Sequence, residues 1–195
     1  MQISDAILYN KGSNAVLITA PHSTAHRRPS YSGSLRPAEL WTDNIALELG
    51  ERSGAHTLVV NDQLDFDPNY HAVADNLFKQ RVQEIVESEK IKYIFDLHGL
   101  SEIYPYDFGY YFSRRFYKSK RIAYGLAQSI NQNLLRQAVA QVLCFNENLQ
   151  ESIGQFAVKN LGTVAVQLEI ARYIREDELL RQNFVTGMEQ YLLTL

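Results

Sequence analysis

The chain has 195 residues, of which 46% are hydrophobic, and this predicts a single domain over 1–195 with a sizeable core. A formal net charge of −3 with 21% charged residues supplies neither a basic footprint for nucleic acid nor an acidic tail, so a small-molecule partner is expected. The lone Cys144 excludes an intrachain disulfide, the N-terminus lacks a charged stretch followed by an apolar one, and no apolar run approaches the roughly 20 residues of a membrane span. A soluble, cytoplasmic protein with no membrane partner is expected; the oligomeric state is not legible in the composition.

Residues 1–13 read as a lead-in with an edge strand at 6–9, closed by the turn Lys11-Gly12-Ser13-Asn14. Ala15–Ala20 is the first buried strand, ended by Pro21 before His22. Residues 23–34 form a long polar loop carrying His26-Arg27-Arg28, and loops of this kind often cover active sites. Pro37 and Glu39 open a helix predicted through Glu51, with Trp41, Ile45 and Leu49 as its buried stripe and Asp43 off that stripe.

A strand at His56–Val60 follows, with His56 at the end of the sheet remote from His22 and therefore structural. The Asn, Asp and Pro of 61–71 make a loop. A helix from about 75 to 90 buries Phe78, Val82, Ile85 and Val86. The run Lys92-Tyr93-Ile94-Phe95-Asp96-Leu97-His98-Gly99 is a strand that ends in a carboxylate, an imidazole and a glycine. The tyrosines around 104–111 lead into a strand ending near Phe112, as core or pocket wall. Ile122, Leu126, Ile130 and Leu134 mark a long helix, and Ala140–Phe145 a strand containing Cys144 as a core residue. A helix over 151–160, a strand over 163–170, and a C-terminal helix with Leu180, Phe184, Met188 and Tyr191 complete the chain. Alternating strands and helices predict a three-layer α/β sandwich around a mixed, largely parallel sheet.

Three of these strands deliver a reactive group to the same edge, where ligands of such sheets bind. The groups are His22, His98 and Glu169. Two neutral imidazoles suit zinc or another divalent metal, and a catalytic zinc takes three protein ligands. Ala25 stands where a His-x-x-Glu motif would need its glutamate, so the third ligand comes from elsewhere: Asp43 is the first choice and Glu39 the second. Glu169, near the end of a buried strand, is costly there unless paired or functional, and it suits a general base. Arg172 is placed either to neutralise a substrate carboxylate or to pair with Glu169 or Asp177. Asp96 shares a strand face with His98 and is expected to orient its imidazole.

Pro21-His22-Ser23, Thr42-Asp43, Asp67-Pro68-Asn69, Asp96-Leu97-His98-Gly99 with Pro105-Tyr106-Asp107, and Gln167-Leu168-Glu169-Ile170-Ala171-Arg172 occur in this order, and the pattern resembles the N-formylglutamate amidohydrolases over about residues 15–175. The chain departs from the family pattern at Thr24 and Ala171. The resemblance implies a zinc carboxypeptidase- or aspartoacylase-like fold and metal-dependent hydrolysis of an amide bond in a small N-acylated, acidic amino acid. It implies His22, Asp43 and His98 as metal positions and Glu169 as the catalytic base. Arg172, Asp96, Asn69 and Arg28 are grouped on the substrate side. Two other readings are a carboxypeptidase-like or amidase activity on a peptide, and a catalytically silent binding domain with the same pocket.

Overall fold

The computed structural model describes residues 6–29, 33–114, 117–134, 138–145 and 151–195. The start of the expected lead-in and the middle of the expected 23–34 loop, residues 30–32, lie outside the described residues. In chain order the strands are β1 (Ile7–Asn10), β2 (Val16–Ala20), β3 (His26–Arg28), β4 (Ser34–Arg36), β5 (His56–Val60), β6 (Tyr93–Leu100), β7 (Phe108–Phe112), β8 (Ala140–Cys144) and β9 (Val164–Ala171). The helices are α1 (Thr42–Ser53), α2 (Leu77–Glu89), α3 (Tyr117–Asn133), α4 (Ile153–Asn160), α5 (Arg172–Glu176) and α6 (Glu178–Leu192).

Among the described residues, seven strands form one mixed sheet in the order β1-β5-β2-β6-β9-β7-β8. The run β5-β2-β6-β9 is parallel, β1 and β7 pair antiparallel with their inner neighbours, and β8 is parallel to β7. The parallel centre is apolar without alternation because helices cover both faces. Ile18, Phe95, Val166 and Tyr110 pack with α1, α3 and α6 on one face, whereas Leu17, Ile94 and Ala165 pack with α2 and α4 on the other. Each of the Leu, Ile, Val and Phe side chains among them, fully buried, contributes about 1.5–3 kcal/mol, so the sheet edge that carries the polar groups is held on a rigid base.

Local chemistry sets the helix ends. The Asn76 side chain caps α2 by accepting from the Lys79 N–H, Ser152 and Gln155 form a reciprocal capping box on α4, and Asp177 caps α6. Helix α1 starts later than the sequence predicts. Trp41 takes a left-handed conformation (φ 73°), so Pro37–Trp41 is not helical, and Trp41 lies under the Arg181 guanidinium instead of joining the stripe of Ile45 and Leu49. The expected 23–34 loop is also more ordered than its polarity suggests, since β3 and β4 pair as an antiparallel ribbon tied to the end of β5 through Leu64. His56 is structural, bonded through Nδ1 to the Tyr9 hydroxyl at 2.7 Å. Among the described residues, no helix is long and apolar enough to cross a membrane.

Candidate metal centre and its pocket

The chain leaves β2 toward β5 on one side and returns on the other side in β6, so the crevice between β2 and β6 is the switch point at which open α/β sheets bind ligands. His22, just past β2, and His98, within β6, face each other across it, with their rings 4.8 Å apart edge to face.

A carboxylate stands between them. Glu39 Oε1 lies 3.3 Å from His22 Nδ1, and Oε2 lies 3.1 Å from His98 Nδ1 and accepts the Gly99 N–H at 2.9 Å. The Glu39 N–H donates to the His22 carbonyl at 2.8 Å, which pins the loop before α1 across the end of β2. One donor atom from each of His22, Glu39 and His98 lies within 4.8 Å of the others. Gly99 allows this approach: a Cβ there would come within 3.1 Å of the Glu39 Cβ and 2.8 Å of Arg175 Nη2.

Each imidazole is backed by a fully buried carboxylate. His22 Nε2 meets Asp67 Oδ1 at 2.9 Å, and His98 Nε2 meets Asp96 Oδ2 at 2.9 Å. Asp96 also accepts from the Thr19 hydroxyl at 2.5 Å, and Asp67 from the Asn69 N–H at 2.9 Å and Arg28 Nε at 2.7 Å. The carboxylates accept the Nε2 protons, which leaves the Nδ1 atoms of both rings facing the centre, free to give a lone pair to a cation there. His22 Nδ1 is buried, and the Glu39 oxygen 3.3 Å away does not meet it in hydrogen-bond geometry. Two imidazole nitrogens and one carboxylate, with tautomers set from behind, fit a zinc-like dication.

Without a metal the centre balances its own charges. Burial lowers the His98 pKa, but Asp96 and Glu39 outweigh it and hold the imidazole well above its usual value; His22 is raised by Glu39 and Asp67 against the same opposition. Burial would raise Glu39, yet the two histidines hold it well below the ordinary carboxylate range. A second group, His22, His26 and Asp67, adjoins the first. There Arg28 already supplies a cation to Asp67, while burial and the neighbouring His22 push His26 down to about 4, so it is neutral and stacks on the His22 ring at 4.0 Å. This second group supports the His22 ring from behind.

Glu169 on β9 is in register with His98 on one side and Gly109 on the other. Burial pushes its carboxyl up to about 7, against the opposing pull of His98. Gln167 Nε2 donates to its Oε1 at 2.7 Å. At such a pKa the group can both take and return a proton near neutrality.

The structure thus brings His22, His98 and Glu169 to one cavity of about 490 Å³, which Arg28 and Asn69 also line. Three expectations change. Asp43 sits in the first turn of α1 and belongs to neither donor group; the third donor beside the histidines is Glu39. The physical reason is the late helix start, which leaves Glu39 in the loop against His22 and carries Asp43 away on α1. Arg172 lies outside this cavity, where it pairs with Glu176 at 2.7 Å, and the guanidinium that enters is Arg175. Arg175 is buried, with Nε donating to the Ile170 carbonyl at 3.0 Å and Nη1 to that of Leu40. Asp96 is wholly buried behind His98, bonded to its Nε2, and does not line the cavity.

The sequence assigns no site role to Asp67 or Arg175, names His26 only within the polar loop, and offers Tyr111 as core or pocket wall. Asp67 lies in a motif that drew attention for Asn69, whereas nothing in the spacing separates Arg175 from Arg172.

A mixed seven-stranded sheet with helices on both faces defines a three-layer α/β fold, with the His-Glu-His group at its switch point. No protein-family model and no curated protein matches the sequence. Solved structures do match. An N-acetylmuramoyl-L-alanine amidase from Clostridium difficile 630 aligns at 13% identity over 93% of this chain and 97% of its own, with a TM-score of 0.61. A succinylglutamate desuccinalase from Vibrio parahaemolyticus aligns at 13% identity over 97% of this chain and 62% of its own (TM-score 0.58). A bacteriophage poly-gamma-glutamate hydrolase aligns at 13% over 96% and 86% (TM-score 0.57). At this identity the likeness is one of fold.

Proposed function

We propose that the protein is a metal-dependent amidohydrolase that cleaves the C–N bond of a small N-acylated acidic amino acid, as the resemblance to N-formylglutamate amidohydrolases implies. The observation that carries this is Glu39 held between the Nδ1 atoms of His22 and His98, with Glu169 beside them. The fold shared with an amidase, a desuccinalase and a poly-gamma-glutamate hydrolase supports it.

His22, Glu39 and His98 would hold the metal, most simply Zn2+, which when bound polarises an amide carbonyl and acidifies water. Glu169 takes the proton from the attacking water and returns it to the leaving nitrogen, for which its burial-raised pKa of about 7 suits it. Arg175 and Arg28 supply positive charge to the cavity and favour a carboxylate-bearing substrate. Asp67 and Asp96 keep the imidazoles in register.

The test is to load the purified protein with zinc and follow release of amine from N-formyl-, N-acetyl- and N-succinylglutamate. Turnover that a chelator removes and zinc restores is the expected result. Zinc-loaded protein that hydrolyses none of them, or turnover indifferent to the chelator, overturns the proposal.

A further inference from the structure

Beyond the metal-side cavity lies a second depression of about 480 Å³, and the two share Leu100, Ser101 and Tyr104 as walls. Pockets for drug-sized ligands run about 300–1,000 Å³, so an N-acyl amino acid needs only the first. Three tyrosines run from one space into the other. The Tyr111 hydroxyl, at the metal side, bonds to the Tyr106 hydroxyl at 3.0 Å, and the Tyr106 ring stacks on Tyr104 at 5.2 Å between centroids. Gly109 makes room for this wall, because a Cβ there would lie 2.8 Å from Tyr111, 3.3 Å from Tyr106 and 3.4 Å from the Glu169 Cβ.

The two spaces differ in charge. The metal side is lined by Arg28, Arg36 and Arg175, two of them on the β3–β4 ribbon beside β5, against the carboxylates Glu39 and Glu169 of the donor site. The second depression, on the β7 side of the donors, carries Glu102, Asp107 and Glu176 against the single cation Arg172.

We propose that the second depression is a substrate subsite that receives an extension of the acyl group along the tyrosine wall, and that it prefers an amine-bearing or uncharged extension to an acidic one. The acidic residue then sits on the guanidinium side and the scissile amide at the donors. The substrate class is an acylated acidic amino acid whose acyl part is itself chain-like, such as a short peptide. This rests on the metal-side cavity being an amide-hydrolysing site.

The test measures binding, so that it is read separately from turnover. Zinc-loaded Glu169→Gln protein is titrated calorimetrically with N-acetylglutamate, acetyl-lysyl-glutamate and acetyl-glutamyl-glutamate, while wild-type hydrolysis of N-acetylglutamate decides the underlying activity. Exposed charge pairs are individually weak, so the lysyl compound should bind about 5-fold tighter than the glutamyl one. Glu102→Lys, in the same Glu169→Gln protein, should erase that preference and leave N-acetylglutamate affinity unchanged, because Glu102 is exposed and lines only the second depression. Equal affinity for the two extended compounds, preference for the glutamyl one, a preference that survives Glu102→Lys, or no binding of either overturns the subsite.

Discussion

Glu39 Oε2 stands 3.1 Å from His98 Nδ1 although 59 positions separate the two in the chain. The same oxygen is held by the Gly99 N–H, so the carboxylate is oriented before any metal arrives. Preorganised donors distinguish a ligand from a nearby acid. Glu39→Gln should therefore lose stoichiometric zinc, as should His22→Ala or His98→Ala, while Asp43→Asn retains it. Metal analysis after dialysis decides, and zinc loss from the Asp43 variant with retention by the Glu39 variant would reverse the assignment.

Asp96 and Asp67 act on the metal only through the imidazoles, so their loss should weaken binding without abolishing it. Asp96→Asn is expected to cost about 10- to 100-fold in zinc affinity or activity. An unchanged affinity in a competition titration would remove the orienting role.

Asp67 makes a further prediction about acid stability. Burial would raise its carboxyl, but His22 and Arg28 hold it well below the ordinary value of 3.8. A carboxylate depressed in the folded state contributes stability that is present above its unfolded pKa and lost as pH falls through the folded one. In metal-free protein, the denaturant midpoints of wild type and Asp67→Asn should differ clearly at about pH 7, and the gap should begin to narrow below about pH 4 and go on narrowing as the pH falls further toward the depressed folded-state value. A gap that stays constant over that range contradicts the prediction.

Glu169→Gln should keep zinc and fold while turnover falls about 10²- to 10⁴-fold. The wild-type rate should rise with pH as the base deprotonates. Burial sets its pKa near about 7 without metal, and a bound dication favours the carboxylate, so the acid limb should lie at or below about 7. Zinc release from the Gln variant would make Glu169 a ligand; near wild-type turnover would remove it from the mechanism.

Arg175 and Arg172 offer a paired comparison. Arg175→Lys keeps a charge but loses the fork geometry, and should lower kcat/KM for an acidic amide by about 10- to 100-fold with a much smaller effect on a neutral amide. Arg172→Gln should change neither, since its guanidinium is spent on Glu176 outside the metal-side cavity. Gly99→Ala should lower kcat/KM for both amides, because its methyl would displace the guanidinium and also press on the Cβ of Glu39 in the donor group. Equal losses for the acidic and neutral amides in the Arg175 variant would assign it a structural role alone.

Much of the frame was legible in the amino-acid order because it depends on local patterns. The apolar runs at 16–18, 93–95 and 164–166 are buried in the middle of a covered sheet, and such strands bring His22, His98 and Glu169 beyond them to one edge. The stripes of α2 and α3 likewise follow from helical periodicity. What the order of residues leaves open is set by the path of irregular backbone and by contacts across large separations. The left-handed turn at Trp41 moved the start of α1 and so exchanged Asp43 for Glu39. The short helix α5 turned Arg172 outward and Arg175 inward, a choice that depends on the carbonyls of Leu40 and Ile170 lying within its reach. Asp67 became the buried support of His22 because the loop after β5 folds back against the β3–β4 ribbon. In the first two cases residues of like charge stood close together in the chain, and which of them reached the cavity was settled by where distant backbone groups could satisfy their hydrogen bonds.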